Sequence, residues 1–490
     1  MASPTAAPSY RSEVRVVKQD SFVPRAHYYP RVLNAHLHPL VRFFMSLGNA
    51  RIAERYCHLH PEVAPEAIAE ALRLPTRHFR WGGADLFHIT DEQGGRRIVV
   101  IETNSCPSGQ KSTPLLDEQQ EQGGYRTLME RAFLPMLRRR GTPPGALAVL
   151  FDKNEMEASG YAATLADLTG EEVLLVPCFD HGPKTIRFTE DRVIEAKLPD
   201  GHWMPIRAAV RYVTQRPWNR IPPLTRTVLF NPVVCCLAGG RNKMLAAKAY
   251  DLYNARISPG GLSVRTPETI WDVDRREIPM WIERMGGIAV VKVPYSNAGQ
   301  GVYTIVNKQE LDAFMAVPHH YDRFIVQALI GNSRWSSRSR SGRLYHVGMV
   351  PNRRNEIFVA DLRCMVGVNP DEGFFPVALY ARRARKPLTK ELAPGAASSW
   401  EMLGTNLSVS RGDGTFDTEE ERLILMDERD FNRLGLGLDD VVEAYIQTVL
   451  AVRAIDHMAE ELVTQKHQFR NKFFGSVNPD ASLMEEILSL

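Results

Sequence analysis

The sequence predicts an α/β protein with several sheets, and three stretches predict it. Ala146–Phe151, Glu155–Thr169 and residues 172–177 alternate apolar strand, helix and apolar strand, the pattern of a parallel, doubly wound unit. Residues 85–104 read as a long β-hairpin, with β-branched and aromatic flanks on either side of Asp91-Glu-Gln-Gly-Gly95. Residues 439–466 read as a terminal helix, with Val442, Tyr445, Ile446, Val449 and Val452 on one side.

The elements follow in chain order. Residues 1–25 read as a loose arm without the apolar core of a signal peptide. Residues 30–75 have helical spacing at Leu33, Leu37, Leu40, Val41 and Phe44, and a further helix is expected over 65–74. After the hairpin comes a polar loop, Ser105-Cys-Pro-Ser-Gly-Gln-Lys111, and then a helix near 124–139 that stops at Gly-Thr-Pro-Pro. Strands are expected at 205–215 and 226–237, and a helix opens at Gly239-Gly-Arg-Asn-Lys243. Residues 273–285 read as helix, 286–292 and 302–306 as strands around a Gly-containing loop, 308–316 as helix and 324–330 as strand. A basic surface loop is expected at 331–343, then strands at 344–350, 356–366 and 375–381. The implied domains are 1–80 (arm and helices), 81–140 (hairpin), 141–238 (doubly wound), 239–330, 331–436 and 437–490 (terminal helices).

Size and charge exclude some classes. A 490-residue chain that is 44% hydrophobic and 24% charged buries a large core, and its net charge of +3 argues against general binding of nucleic acid or anionic membrane. No apolar run is long enough to span a membrane. The six cysteines show no zinc spacing and no disulfide framework, which fits a reducing cytoplasm.

The hairpin holds the first chemical signal. Folded symmetrically about a turn at 92–95, it sets Thr90 opposite Arg97, Phe87 opposite Val100 and Asp85 opposite Glu102, so that Asp85, Phe87, Ile89, Ile98, Val100, Glu102 and Asn104 share a face. Facing acids repel, and a hard cation such as Mg²⁺ turns that cost into a gain. The second signal is a buried strand ending in Lys292, followed by Ser296, Asn297, Gly299, Gln300 and Gly301, a small-residue loop suited to phosphate. Lys243 sits at a helix N-terminus, another anion-favouring position. Phe324-Ile-Val-Gln327-Ala-Leu329-Ile is an apolar strand suited to a flat base, and Asp361-Leu-Arg363 puts a guanidinium and an acid on one strand face.

A lysine, a second lysine with its Gly loop, an apolar hinge strand and D-x-R, in that order, resemble the ATP-grasp superfamily. Because the E-x-N pair Glu102/Asn104 lies upstream, the order resembles circularly permuted members such as eukaryotic-type glutathione synthetase and glutathionylspermidine synthetase. Over roughly 78–410, the resemblance implies an ATP-grasp fold with a doubly wound substrate domain and helical additions at both ends. It implies an ATP-dependent ligase joining a small-molecule carboxylate to an amine through an acyl phosphate. Asp85, Glu102 and Asn104 would hold Mg²⁺. Lys243 and Lys292 would contact the ATP phosphates, with 296–301 as a lid, and Gln327 and Leu329 would hold adenine. Arg363 and Lys292 would be the catalytic cations. Ser105 and Ser108 resemble the substrate loop, and Arg80, Lys111 and Arg211 are candidate partners for a substrate carboxylate. One departure is that Ser296-Asn297 carries no acid where the family has a metal ligand, so the third ligand stays open. Glu401 and Asn406 form a rival metal pair. Two other readings stay open: a phosphotransferase on the same fold, and an interaction protein using 334–343. Neither substrate identity nor oligomeric state, homo-oligomer included, is fixed.

Overall fold

In the computed structural model, residues 13–138, 141–180, 182–214, 216–296, 301–392, 398–410 and 416–489 are described. Three sheets carry most of the fold, and the second and third border one cleft. The first is doubly wound: Ala146–Phe151 lies parallel to Val173–Pro177 on one side and to Trp203–Tyr212 on the other. Its central strands are buried on both faces, as their unbroken apolar runs require. Helix Glu155–Thr169 makes the crossover and ends at Gly170, whose φ of 69° suits a glycine. Arg15–Val17 adds an antiparallel edge strand beside Val173–Pro177, so part of the expected loose arm is ordered by backbone pairing. Over 226–237 only Val228–Phe230 is strand; a helical turn, Cys236–Gly240, takes the rest toward the Lys243 helix.

The second sheet is antiparallel, with strands Trp81–Thr90, Arg96–Ser105, Ala360–Asn369, Gly373–Arg383, Leu423–Ile424 and Tyr345–His346. The hairpin register differs from the symmetric expectation. The Asp91 carboxylate accepts from the backbone N–H groups of Gln93 and Gly95, which makes the turn one residue longer and sets Thr90 opposite Arg96 and Phe87 opposite Val99. A bulge then skips Ile101 and restores Asp85 opposite Glu102. The Val100 N–H donates outward to the Arg265 carbonyl at 2.8 Å. Ile98 and Val100 therefore belong to the opposite face, packed in the main core with helix Leu438–Glu461. That helix is buried on most of its circumference, Val441, Leu450, Ala451 and Ala454 included, rather than along one stripe, because it also contacts helix Lys243–Ile257.

The third sheet is antiparallel in the order Thr269–Asp274, Arg323–Gln327, Ala289–Lys292, Val302–Ile305. Thr269–Asp274 is strand where the sequence pointed in part to helix. Its β-branched and aromatic residues pair with Arg323–Gln327, and Asp274 with Glu277 forms a capping box that delays the helix to Ile278–Arg284. The expected loop at 331–343 folds back under the hinge, its Ser336 and Ser337 bonded to Leu329. Among the described residues no helix is long and apolar enough to cross a membrane.

Candidate active site

The cross-strand register of the second sheet writes the site as two rows. Glu102, Asp85, Arg363 and Tyr380 lie side by side on four successive strands; in the next row lie Val99, Phe87, Asp361 and Arg382. Acids and guanidiniums thus face each other across the ladders. Arg363 holds Asp85 in a two-pronged grip, Nε to Oδ1 at 2.5 Å and Nη2 to Oδ2 at 2.7 Å, and Arg382 reaches the same carboxylate at 3.0 Å. Arg382 also pairs with Asp361. Burial alone would raise the Asp85 pKa; the two arginines outweigh it and hold the carboxyl well below the usual range. For Asp361 burial wins, and its pKa is raised.

This corrects two expectations. Asp85 is the counter-ion of two arginines rather than an open metal ligand, and Arg363 forks onto Asp85 instead of presenting a free clamp. Asp361 and Arg363 share a face as expected but do not pair. Asn104 is also committed: its one oxygen accepts from Arg241 Nη1 at 2.7 Å. Glu102 is different. Its side chain is 22% exposed, and its near partner is Lys243, at 3.4 Å.

Lys243 begins helix Lys243–Ile257, capped by Asn242, whose side chain accepts from the Leu245 N–H. The Lys243 ammonium bridges Glu102 and the Ser296 carbonyl. Lys292 ends its strand in the third sheet and is 5% exposed, with Nζ 3.3 Å from the Ile101 carbonyl that the bulge turns outward. Burial pushes its pKa down to about 8; Lys243 adds to the shift, and Glu102 and Asp85 oppose it.

These groups line two adjoining cavities. The larger, about 300 Å³, is walled by Glu102, Lys243, Tyr250, Lys292, Gln327 and Arg340. The smaller, about 100 Å³, has apolar walls at Phe87, Ile101, Val290, Leu329 and Leu403. Glu102, Lys292 and Gln327 border both. The Gln327 amide donates to Thr269 Oγ1 at 2.8 Å. The Leu329 backbone, expected to hold a base, is spent on Ser336 and Ser337, so Leu329 contributes an apolar wall instead. Gly301, at φ 70°, accepts from the Val293 N–H and closes the base of the loop; Asn297, Gly299 and Gln300 lie outside the described residues.

The expected substrate residues divide. Arg211 is fully buried, with Nε on the Asn231 carbonyl at 2.6 Å and Nη2 at 3.2 Å from Ser105 Oγ, Cys106 Sγ and Cys236 Sγ; it braces the fold and does not face a ligand. Ser105 is buried in the same cluster, and Arg80 is buried with its N–H on the Asn231 side chain. Ser108 and Lys111 are part-buried and meet at Asn154; neither lines the two cavities. Of the rival metal pair, Glu401 bonds Lys386 at 2.6 Å, while Asn406 lines the smaller cavity. Among the described residues no three His, Cys, Asp or Glu side chains gather as a cation site. Within the basic segment, Arg334 pairs with Glu391 and Arg340 with Glu268.

Sequence reasoning missed Arg241, Arg382, Asn231 and Lys153. Arg241 stands two residues before Lys243 in a segment already singled out, and Lys153 follows a parallel strand, where α/β ligands bind. Arg382 and Asn231 had no local signal.

Several solved structures match this chain loosely. A glutathione synthetase-like effector from Globodera pallida, in apo form, is 9% identical over 70% of this chain and 81% of its own, with a TM-score of 0.36. A RimK-domain ATP-grasp protein from Sphaerobacter thermophilus is 15% identical over 48% of this chain and 90% of its own, with a TM-score of 0.28. D-alanyl-alanine synthetase A from Vibrio cholerae is 11% identical over 62% and 98%, with a TM-score of 0.29. No family model and no curated protein matches the sequence. The structural overlaps are loose, and the chemistry of this cleft is read from its own side chains.

Proposed function

We propose that this chain is an ATP-dependent ligase that joins a carboxylate to an amine. One observation supports the reading above the rest: Lys243, Lys292 and Glu102, from three separate segments, converge on one cleft. The cleft suits the two ends of a nucleotide, with apolar walls for a base in the smaller cavity and two lysines for phosphates in the larger.

For Mg²⁺ the donors fit only in part. Glu102 is the carboxylate that would hold it, while Asp85 and Asn104 are held by arginines. One carboxylate is compatible with an ion that arrives on phosphates and keeps its waters. When bound, Mg²⁺ would supply charge neutralisation to the transferring phosphoryl group.

The chain's own groups then have defined tasks. Without ligand, Glu102 balances Lys243; phosphates compete for that lysine. Lys292, buried and short of full compensation, gains most from an anion. In the proposed reaction a substrate carboxylate oxygen attacks the γ-phosphorus and ADP leaves; an amine then attacks the acyl carbon and phosphate leaves. Arg363, neutralised by Asp85 and bonded to the Tyr380 hydroxyl, braces the strand row that ends in Glu102.

The test is ADP release with paired small carboxylates and amines, each omitted in turn. A ligase releases ADP and inorganic phosphate only with both; a phosphorylated product marks a phosphotransferase instead. Lys292→Ala lowers turnover by about 10²–10³-fold. Failure of the wild type to bind an ATP analogue rules the reading out.

A further inference from the structure

We propose that Lys153, with Lys111, is a specificity-determining anchor for the second carboxylate of a dicarboxylate substrate. The inference rests on the ligase reading for the fate of that substrate, though not for the existence of the anion site.

Lys153 lies in the turn between strand Ala146–Phe151 and helix Glu155–Thr169, at the carboxyl end of the parallel sheet. In open α/β sheets that edge, outside the strand ends and near a helix N-terminus, is where ligands bind. Asn154, the next residue, has a φ of 53°, in the left-handed region that asparagine adopts more readily than most residues. Its side chain donates to Ser108 Oγ at 3.0 Å, to Tyr212 OH at 2.9 Å and to Glu157 at 3.0 Å, and accepts from Lys111 Nζ at 2.5 Å. The Tyr380 hydroxyl donates to the Ser108 carbonyl at 3.1 Å and accepts from Arg363 Nη1 at 3.2 Å. A continuous set of polar contacts therefore joins this turn to the arginine row beside Glu102.

The charges in this region do not balance. Lys153 has no hydrogen bond or ion pair among the described residues. Lys111 has neutral partners, Asn154 Oδ1 and the Tyr29 ring at 4.8 Å. Every oxygen that Arg241 reaches is neutral: Asn104 Oδ1 and the carbonyls of Ser105 and Cys106. Of the nearby acids, Asp152 is bound by Arg220 and the Thr214 N–H, both at 2.9 Å. Glu157 receives Ser108 Oγ, the N–H groups of Gly109 and Gln110, and Asn154, all neutral donors that leave its charge to act on Lys111. Glu420 acts on Lys111 from the rim. The quartet of Asp85, Asp361, Arg363 and Arg382 is neutral by itself. Lys111 thus has Glu157 and Glu420 to face it, whereas Lys153 and Arg241 are left without an acid of their own. Burial and the field of Arg241, Arg363 and Lys111 push the Lys153 pKa down to about 8, with Asp152 opposing, as expected where positive charge is under-compensated.

Such a surplus fits an anion brought by the substrate. With one carboxylate on Lys153 and Lys111, a short dicarboxylate points its other end toward Arg241, two residues before Lys243 of the nucleotide cleft.

The test is calorimetric titration of the nucleotide-free protein with glutarate, butyrate and inorganic phosphate. Glutarate binds at least about tenfold more tightly than butyrate, and Lys153→Met or Lys111→Met weakens glutarate by about tenfold or more, the worth of a charged hydrogen bond. Both variants bind an ATP analogue as the wild type does, and Lys153→Met melts no lower, because it loses a cation without a hydrogen bond or ion pair among the described residues. Equal affinity for glutarate and butyrate, tighter binding of phosphate, or unchanged glutarate affinity in both folded variants overturns the proposal. Loss of ATP-analogue binding by the wild type with glutarate binding intact overturns the ligase reading alone.

Discussion

Asp85 and Glu102 face each other across one ladder and have opposite circumstances. Asp85 is buried and gripped by two guanidiniums; Glu102 is partly exposed and shares one lysine. Removing one partner of a buried ion pair strands the other charge and costs about 3–5 kcal/mol. Asp85→Asn is therefore expected to lower stability by about that amount in urea unfolding. Glu102→Gln is expected to leave the unfolding midpoint near wild type and to shift the Mg²⁺ titration of turnover to higher concentration. If the variants exchange phenotypes, with Asp85→Asn changing the metal titration and Glu102→Gln the stability, the assignment of the two acids is reversed. The sequence revealed that these acids are opposite, because a hairpin is local. The neutralisation of Asp85 was hidden, because Arg363 lies 278 residues away and its own strand offered Asp361 as a nearer partner.

At the scale of elements, the helix that delivers Lys243 is set by its cap. Asn242 accepts from the Leu245 N–H at 3.2 Å while its amide donates to the Leu237 carbonyl and to Asn478 of the C-terminal helices. Asn478 in turn donates to Tyr295, just before the loop that Lys243 reaches. Asn242→Ala is expected to cost about 0.5–2 kcal/mol in chemical denaturation, the usual value of an N-cap. It is also expected to weaken binding of an ATP analogue, measured by calorimetry, because both anchors of the lysine move. Unchanged affinity with lowered stability would show that the cap serves the helix alone. This helix start was readable from Gly239-Gly-Arg-Asn-Lys243, since caps and glycines act over a few residues. The bulge at Ile101 was not. It depends on a carbonyl from Arg265, far along the chain, yet it turns the Ile101 carbonyl toward Lys292.

For the whole molecule, legibility tracks the range of the interaction. The doubly wound strands, the hairpin and the terminal helix repeat over a few residues, and the structure contains them. Thr269–Asp274 became strand through pairing with residues about fifty positions away, and the 331–343 segment gained order only by bonding under the hinge. The same assembly buries histidines whose pKa values fall, His346 to about 3 and His88, His27, His319 and His457 in the same direction, each mainly through loss of solvent. Unfolded, a histidine titrates near 6.5. Between that pH and about 3 the unfolded chain holds the His346 proton and the native state does not, so stability falls as the pH is lowered. Each such proton gives a slope of at most about 1.4 kcal/mol per pH unit. The raised Asp361 and Asp456 act with the opposite sign, so the test is a comparison of slopes. His346 packs edge-on against Phe87 with ring centroids 4.6 Å apart, and His346→Phe keeps an aromatic ring there without a titrating group. Between pH 7 and pH 4 the unfolding free energy of His346→Phe is expected to fall less steeply than that of the wild type, measured by urea unfolding at each pH. Parallel slopes would mean that His346 takes up its proton in the native state as readily as in the unfolded chain, and that the smaller cavity is wetter than its walls suggest.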